Sequence, residues 1–227
     1  MPEKPRVKAP KKRTTVDPEA SARKRRILFI GGGAGIALIA VLALAGLLGF
    51  RGGGPDEESV RKDLVAAGCT LQAVEAQRGV HSLTEDGTAK WNTDPPTSGP
   101  HFGFDQNQTQ GTAIWGAYPE PVQLARVVHN LEHGGVYIFY GDEVSESVVE
   151  QLRAFYDKHQ RGTILAPYPK LGDKIALGAW VDEGDEAKGY LAKCKAFDEG
   201  AFSAFFTAFQ FKGPERLPAS SLLPGGS

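Results

Sequence analysis

Sulfur is scarce in this chain: Met1 is the one methionine, and Cys69 and Cys194 are the two cysteines. No thioether set is present to favour Cu(I), and no Cys-x-x-Cys pair is present for thiol exchange. The sequence also lacks a Gly-x-Ser-x-Gly elbow, a phosphate-binding loop and a dinucleotide fingerprint. Those absences remove the familiar routes to serine hydrolysis, nucleotide binding and nicotinamide chemistry. Internal repeats are missing too. Leu217–Ser221 is not followed by the apolar stretch and basic tail that a sortase signal requires.

Charge is missing altogether from Ile27 to Phe50, a run of 24 residues. As a helix it would reach roughly 36 Å, enough to cross a hydrocarbon core of about 30 Å with some tilt. Arg23, Lys24, Arg25 and Arg26 precede the run and only Arg51 follows it directly. The positive-inside bias therefore predicts a single-pass anchor with the N-terminus in the cytoplasm and the rest of the chain outside. The run exceeds the apolar core of a secretory signal, and Leu47-Leu48-Gly49-Phe50 makes a poor cleavage site. Gly31 and Gly35 are of a kind common in membrane helices.

The net charge of −1 conceals an asymmetry: residues 1–26 carry ten Lys or Arg against three acidic residues, so the remainder sums to −8. An acidic outer domain would repel phosphate backbones, so the expected partners are the membrane and an envelope protein, not nucleic acid.

Along the chain, residues 1–26 read as a disordered basic tail, 27–50 as the anchor, 51–57 as a linker, 58–214 as a globular domain and 215–227 as a second disordered tail. Within the domain, Val60, Leu64 and Ala67 have helical spacing over Asp56–Gly68. Val136–Tyr140, Thr163–Ala166 and Ile175–Val181 read as strands, and Glu143–His159 as an amphipathic helix. A last helix, Asp198–Phe209, carries a core stripe of Phe202, Phe205, Phe206 and Phe209. Strands mixed with helices predict an α+β fold, a small mixed sheet with flanking helices preceded by one transmembrane helix. Gly79–Gly116 is irregular, and a loop of that length inside a compact domain usually builds a site.

Outside the cytoplasm Cys69 and Cys194 are expected to form a disulfide, worth on the order of 4–5 kcal/mol in the chain-entropy picture. Free buried thiols and thiolate metal ligands are the alternatives.

Four of the five histidines lie between His81 and His133. His129 and His133, four residues apart, share a face on a helix or on a strand. With His101 at the end of Pro95-Pro96-Thr97-Ser98-Gly99-Pro100, and with His81, they are the candidate ligands of a copper or zinc ion. The alternative for each is an ordinary hydrogen-bonding histidine. Gly134 and Gly135 allow a sharp turn or a close ligand approach. His159, ending a helix, complements its dipole. His129-x-x-Glu132-His133 also matches the H-x-x-E-H pattern of inverted zinc proteases, with Glu132 as base, although the following glycines stop any helix there. Otherwise Glu132 orients a histidine or pairs with Arg126.

Pro95–His101, Gly116-x-Tyr118 and Val128–Val136 together resemble a bacterial family of domains of unknown function, DUF3105, over roughly Cys69–Pro214. The resemblance implies a membrane-anchored envelope module in which the His81, His101 and His129/His133 regions belong together. It implies no activity. Three functions are compatible: metal handling or sensing in the envelope, a metal-dependent hydrolase using Glu132, and a non-catalytic interaction module. The last requires an exposed aromatic patch of Trp91, Phe102, Phe104 and Trp115. A binding domain is expected in preference to an enzyme.

Overall fold

The computed structural model describes residues 56–81, 89–103, 111–183 and 186–226. The expected basic tail, the apolar segment 27–50 and the start of the linker lie outside the described residues. Among the described residues no helix is long and apolar enough to cross a membrane.

Asp56 starts the first helix, α1 (Glu57–Ala66), by accepting a 2.8 Å bond from the Ser59 amide, and Gly68 at φ +76° ends it. Strand β1 (Cys69–Glu75) follows, then the irregular stretch that ends at the two-residue β2 (Gly116–Ala117). Helix α2 (Leu124–Glu132) leads into β3 (Val136–Tyr140), α3 (Glu146–Lys158) and β4 (Thr163–Pro167). A hairpin of β5 (Ile175–Asp182) and β6 (Ala187–Cys194) precedes α4 (Glu199–Phe209), capped by the Asp198 side chain on the Ala201 amide.

The six strands form one mixed sheet in the order β1-β6-β5-β3-β4-β2. β3 runs parallel to β4, and β4 parallel to β2; the other neighbours are antiparallel. The fold is thus α+β, with six strands and four α-helices among the described residues. Cys69 and Cys194 are directly opposite in the β1–β6 register and are joined as a disulfide.

Alternation along β3 divides the core in two, because successive side chains leave a strand on opposite faces. Val136 and Ile138 join one cluster, in which α1, α3 and α4 cover the sheet with Leu64, Phe155, Phe202 and Phe205. Tyr137 and Phe139 join the other, covered by α2 through Val127, Val128 and Leu131, by Trp115, and by Leu222 from beyond α4. In the segment 215–226, read from composition as a tail, most residues are exposed, but Leu222 anchors it to the domain. Leu222 is buried, its carbonyl accepts from the Gly162 amide, and Trp115 pairs with Gly225 and Gly226 through backbone bonds.

Candidate metal centre

Helix α2 reads Leu-Ala-Arg-Val-Val-His-Asn-Leu-Glu, and its C-terminal turn sets the geometry of the site. The Gly134 amide bonds to the Leu131 carbonyl and the Gly135 amide to the Asn130 carbonyl, each at 2.9 Å. This is the Schellman arrangement, which needs a left-handed residue just past the cap; Gly134 supplies it at φ +89°. The two glycines do not face a ligand. A Cβ on Gly134 would meet the Phe211 backbone, and one on Gly135 the Trp115 ring. Asn130 is buried and clamps Ala113 by accepting from its amide (2.8 Å) and donating to its carbonyl (2.9 Å). Beyond the turn, the Phe211 amide bonds to the Gly134 carbonyl and the Glu215 amide to the Glu132 carbonyl.

The Pro-rich loop is held against the end of β1. Gln77 donates its backbone amide to the Ser98 hydroxyl (3.0 Å) and its side-chain amide to the Lys90 carbonyl (3.0 Å). Asn92 donates to the Glu75 carbonyl (2.8 Å), Trp91 to the Pro100 carbonyl (3.0 Å), and Tyr168 to Asp94. His101 then enters the interior, and its amide bonds to the Val80 carbonyl beside His81, forming an isolated parallel bridge between the two histidines.

The rings of His81, His101 and His129 stand in a near-equilateral triangle with centroids 4.8, 5.0 and 4.9 Å apart. Three imidazoles sharing one ion through bonds of about 2.0–2.1 Å would lie roughly 5 Å apart by the same measure. Glu132, one turn on from His129, completes the group: the ligand atoms of these four residues all lie within 4.8 Å of one another. Its Oε2 is 2.9 Å from His101 Nε2 and 3.4 Å from His81 Nε2. Gly79 makes room for this carboxylate, since a Cβ there would collide with Glu132 Oε1.

Protonation follows from the contacts. His101 Nδ1 is 2.8 Å from the Gly99 carbonyl, which only accepts, so Nδ1 carries the hydrogen. Nε2 is then the ring nitrogen that faces inward, the arrangement usual for a metal-bound histidine steadied from behind. The nearby Glu132 oxygen is within hydrogen-bonding range yet off the direction in which a ring N–H would donate, and Nε2 has no hydrogen-bond partner. A ring nitrogen and a carboxylate this close in the interior are balanced by a cation, either a proton on the imidazole or a metal ion. Burial first, then the neighbouring His133 and His101, pull His129 down to about 3, so its imidazole is neutral at physiological pH. Burial pushes Glu132 upward, but contact with His101 and the charges of His101, His129 and His81 outweigh it, and the net direction is down. The set offers three imidazoles and one carboxylate, donors suited to Zn(II) or Cu(II).

Of the four histidines expected to share an ion, three converge. His133 stands beside them, its ring 4.6 Å from that of His129 and its Nε2 3.9 Å from Glu215 Oε2, outside the group of four. Glu132 takes that place. An H-x-x-E-H hydrolase uses both histidines as ligands and keeps the glutamate as base. Here the glutamate oxygen lies among the donor atoms. Arg126 lies over the Phe102 ring at 5.7 Å. Phe102 and Trp115 are buried, so the aromatic surface needed by an interaction module is absent at both; Trp91 is half-buried, and Phe104 lies outside the described residues. His159 caps α3 and bonds through Nδ1 to the Phe155 carbonyl at 2.9 Å.

An α+β domain with three histidines and a glutamate converging beside α2 is the class that fold and site define. The chain belongs to the DUF3105 family, described as protein of unknown function, whose profile matches residues 81–221 and so includes every member of the cluster. No curated protein and no solved structure matches the chain.

Proposed function

We propose that this protein binds a divalent transition metal, copper(II) or zinc(II), through His81, His101, His129 and Glu132, as a metal-handling or metal-sensing domain of the cell envelope. The observation that carries the reading is the inward Nε2 of His101, its hydrogen fixed on Nδ1 by Gly99, held 2.9 Å from the Glu132 carboxylate without hydrogen-bond direction. His133 adjoins the site as a neighbour of His129. The apolar segment Ile27–Phe50, flanked by the basic run before it, holds the domain outside the membrane. That placement agrees with the disulfide, which persists in oxidising compartments.

The test is metal content. The full-length chain, purified in detergent without a His-tag, is loaded with copper or zinc, desalted and assayed by mass spectrometry beside His101→Ala. One equivalent kept by the wild type and lost by a folded variant supports the reading; metal kept equally by both, or by neither, rejects it. For the topology, a thiol or amine reagent that cannot cross the membrane should label the C-terminal domain on intact cells and leave residues 1–26 untouched.

A further inference from the structure

We infer that the ion is exchanged at the His81 side by direct ligand substitution with a chelating partner, His81 being the ligand displaced. This rests on the metal-binding reading above.

The four donors are unequal in a way that bears on exchange. His101, His129 and Glu132 are 0%, 1% and 5% exposed, out of reach of any incoming group. They are also fixed. His101 is tied through Nδ1 to Gly99 and through its amide to Val80. His129 and Glu132 ride on a helix end whose carbonyls are closed by Gly134, Gly135 and Glu215, and which Asn130 pins to Ala113. The side chain of His81 is 46% exposed; its Nε2 lies 3.4 Å from Glu132 Oε2, and its backbone is bridged to that of His101. An incoming donor therefore meets the ion across His81.

Departure of the ion without a replacement would leave the Glu132 carboxylate 2.9 Å from His101 Nε2 inside the protein until a proton takes the ion's place. Burying a charge without its counter-charge is among the costliest arrangements a fold can hold. Substitution avoids that state. The bond from the ion to the His81 imidazole breaks as a bond to the incoming donor forms, and the three buried ligands are released as the partner supplies further donors. The oxidation state of the ion does not change, and no electron is transferred. Because the site itself is built from imidazole and carboxylate, the partner that exchanges with it on near-equal terms is a protein segment presenting the same two donor types.

Zinc-loaded full-length chain is mixed with the chromophoric chelator pyridylazoresorcinol over a wide concentration range, and the appearance of its zinc complex is followed by stopped flow. The rate of transfer should rise in proportion to chelator concentration. His81→Ala, which keeps the three buried ligands, should release zinc several-fold faster at each concentration, and His133→Ala should release it at the wild-type rate. A wild-type rate that stays flat as chelator increases overturns the inference while leaving the metal site standing. Acceleration by His133→Ala and not by His81→Ala overturns it as well. A wild type that holds no zinc at the outset sinks the metal-binding reading itself.

Discussion

On one face of the sheet, Phe202, Phe205, Phe206 and Phe209 of α4 close with Phe155 and Leu64 over Ile138, Leu177 and Ala192. On the other, α2 brings Val127, Val128 and Leu131 to the sheet but also carries His129, Asn130, Glu132 and His133, all buried. The buried histidines and the buried glutamate all lie on this second side. Apolar burial stabilises at about 25 cal/mol per Å², whereas buried polar groups cost unless partnered. The α4 face therefore adds apolar stabilisation with little polar cost, while the α2 face combines a buried apolar cluster with buried polar groups. The α2 face also holds polar and charged groups in a fixed arrangement inside the protein, as sites of chemistry commonly do.

The sharpest separation should come from truncating each face. Phe205→Ala empties a fully buried position in the α4 face and should cost about 3–5 kcal/mol in denaturant unfolding, with metal content per folded molecule unchanged. Reducing the disulfide between β1 and β6, which closes a loop of 125 residues, should cost about 2–5 kcal/mol and also leave the ion bound. Glu132→Gln should behave in the opposite way. Metal affinity should fall by at least about tenfold, while the metal-free domain loses far less stability than it does with Phe205→Ala. If Phe205→Ala empties the metal site in folded protein, or Glu132→Gln unfolds it, the two faces are not separable in this way.

Acid should act through the α2 face. His129 has its folded pKa depressed from 6.5 to about 3, so between those values the unfolded chain holds a proton that the folded chain refuses. Stability of the metal-free domain should therefore fall as pH drops from about 6.5 toward 3, the direction required when the unfolded state binds more protons. The depressed Glu132 acts with the same sign, its contribution being lost as pH falls through its folded pKa. His129→Gln should flatten the upper part of this slope in denaturation curves taken across the pH range. The smallest effect belongs to neither face: Lys158→Ala removes the exposed pair with Glu199 and should shift stability by less than about 1 kcal/mol.

How much of this was legible in the sequence follows the strength of local patterns. Val136–Tyr140 is a strand with the expected bounds, and the Phe stripe of α4 is core, since β-rich and 3.6-periodic runs are decided locally. Helix α3 starts at Glu146 instead of Glu143, after Ser145. Strand β6, Ala-Lys-Gly-Tyr-Leu-Ala-Lys-Cys, has no clear β signature in the sequence because its Lys and Gly residues dilute the pattern. Around His129 and His133 the spacing fits helix or strand alike; the structure makes Leu124–Glu132 a helix, consistent with the spacing of Leu124, Val127, Val128 and Leu131, and the turn at Gly134 ends it.

The site shows a different limit. At about 100° per residue, Glu132 and His133 lie roughly 60° and 40° to either side of His129 on α2. Sequence spacing cannot decide which of the two turns toward His101. Packing decides it: Val127, Val128 and Leu131 fix how α2 sits on the sheet, and Glu132 is the one brought to His101 and His81. The signal in the motif that points to Glu132 is a carboxylate three residues from a histidine, a spacing that shares a helix face.

The central claim is that His81, His101, His129 and Glu132 hold one ion together. X-ray absorption at the edge of the bound metal, on the full-length chain loaded with zinc or copper, addresses it most directly. The account predicts a shell of nitrogen and oxygen donors at about 2.0–2.1 Å, outer-shell scattering from three imidazoles, and no sulfur. Replacing His133 should leave that imidazole count unchanged, and replacing His81 should lower it by one. Sulfur in the shell, or scattering from water oxygens without imidazole, would contradict the account.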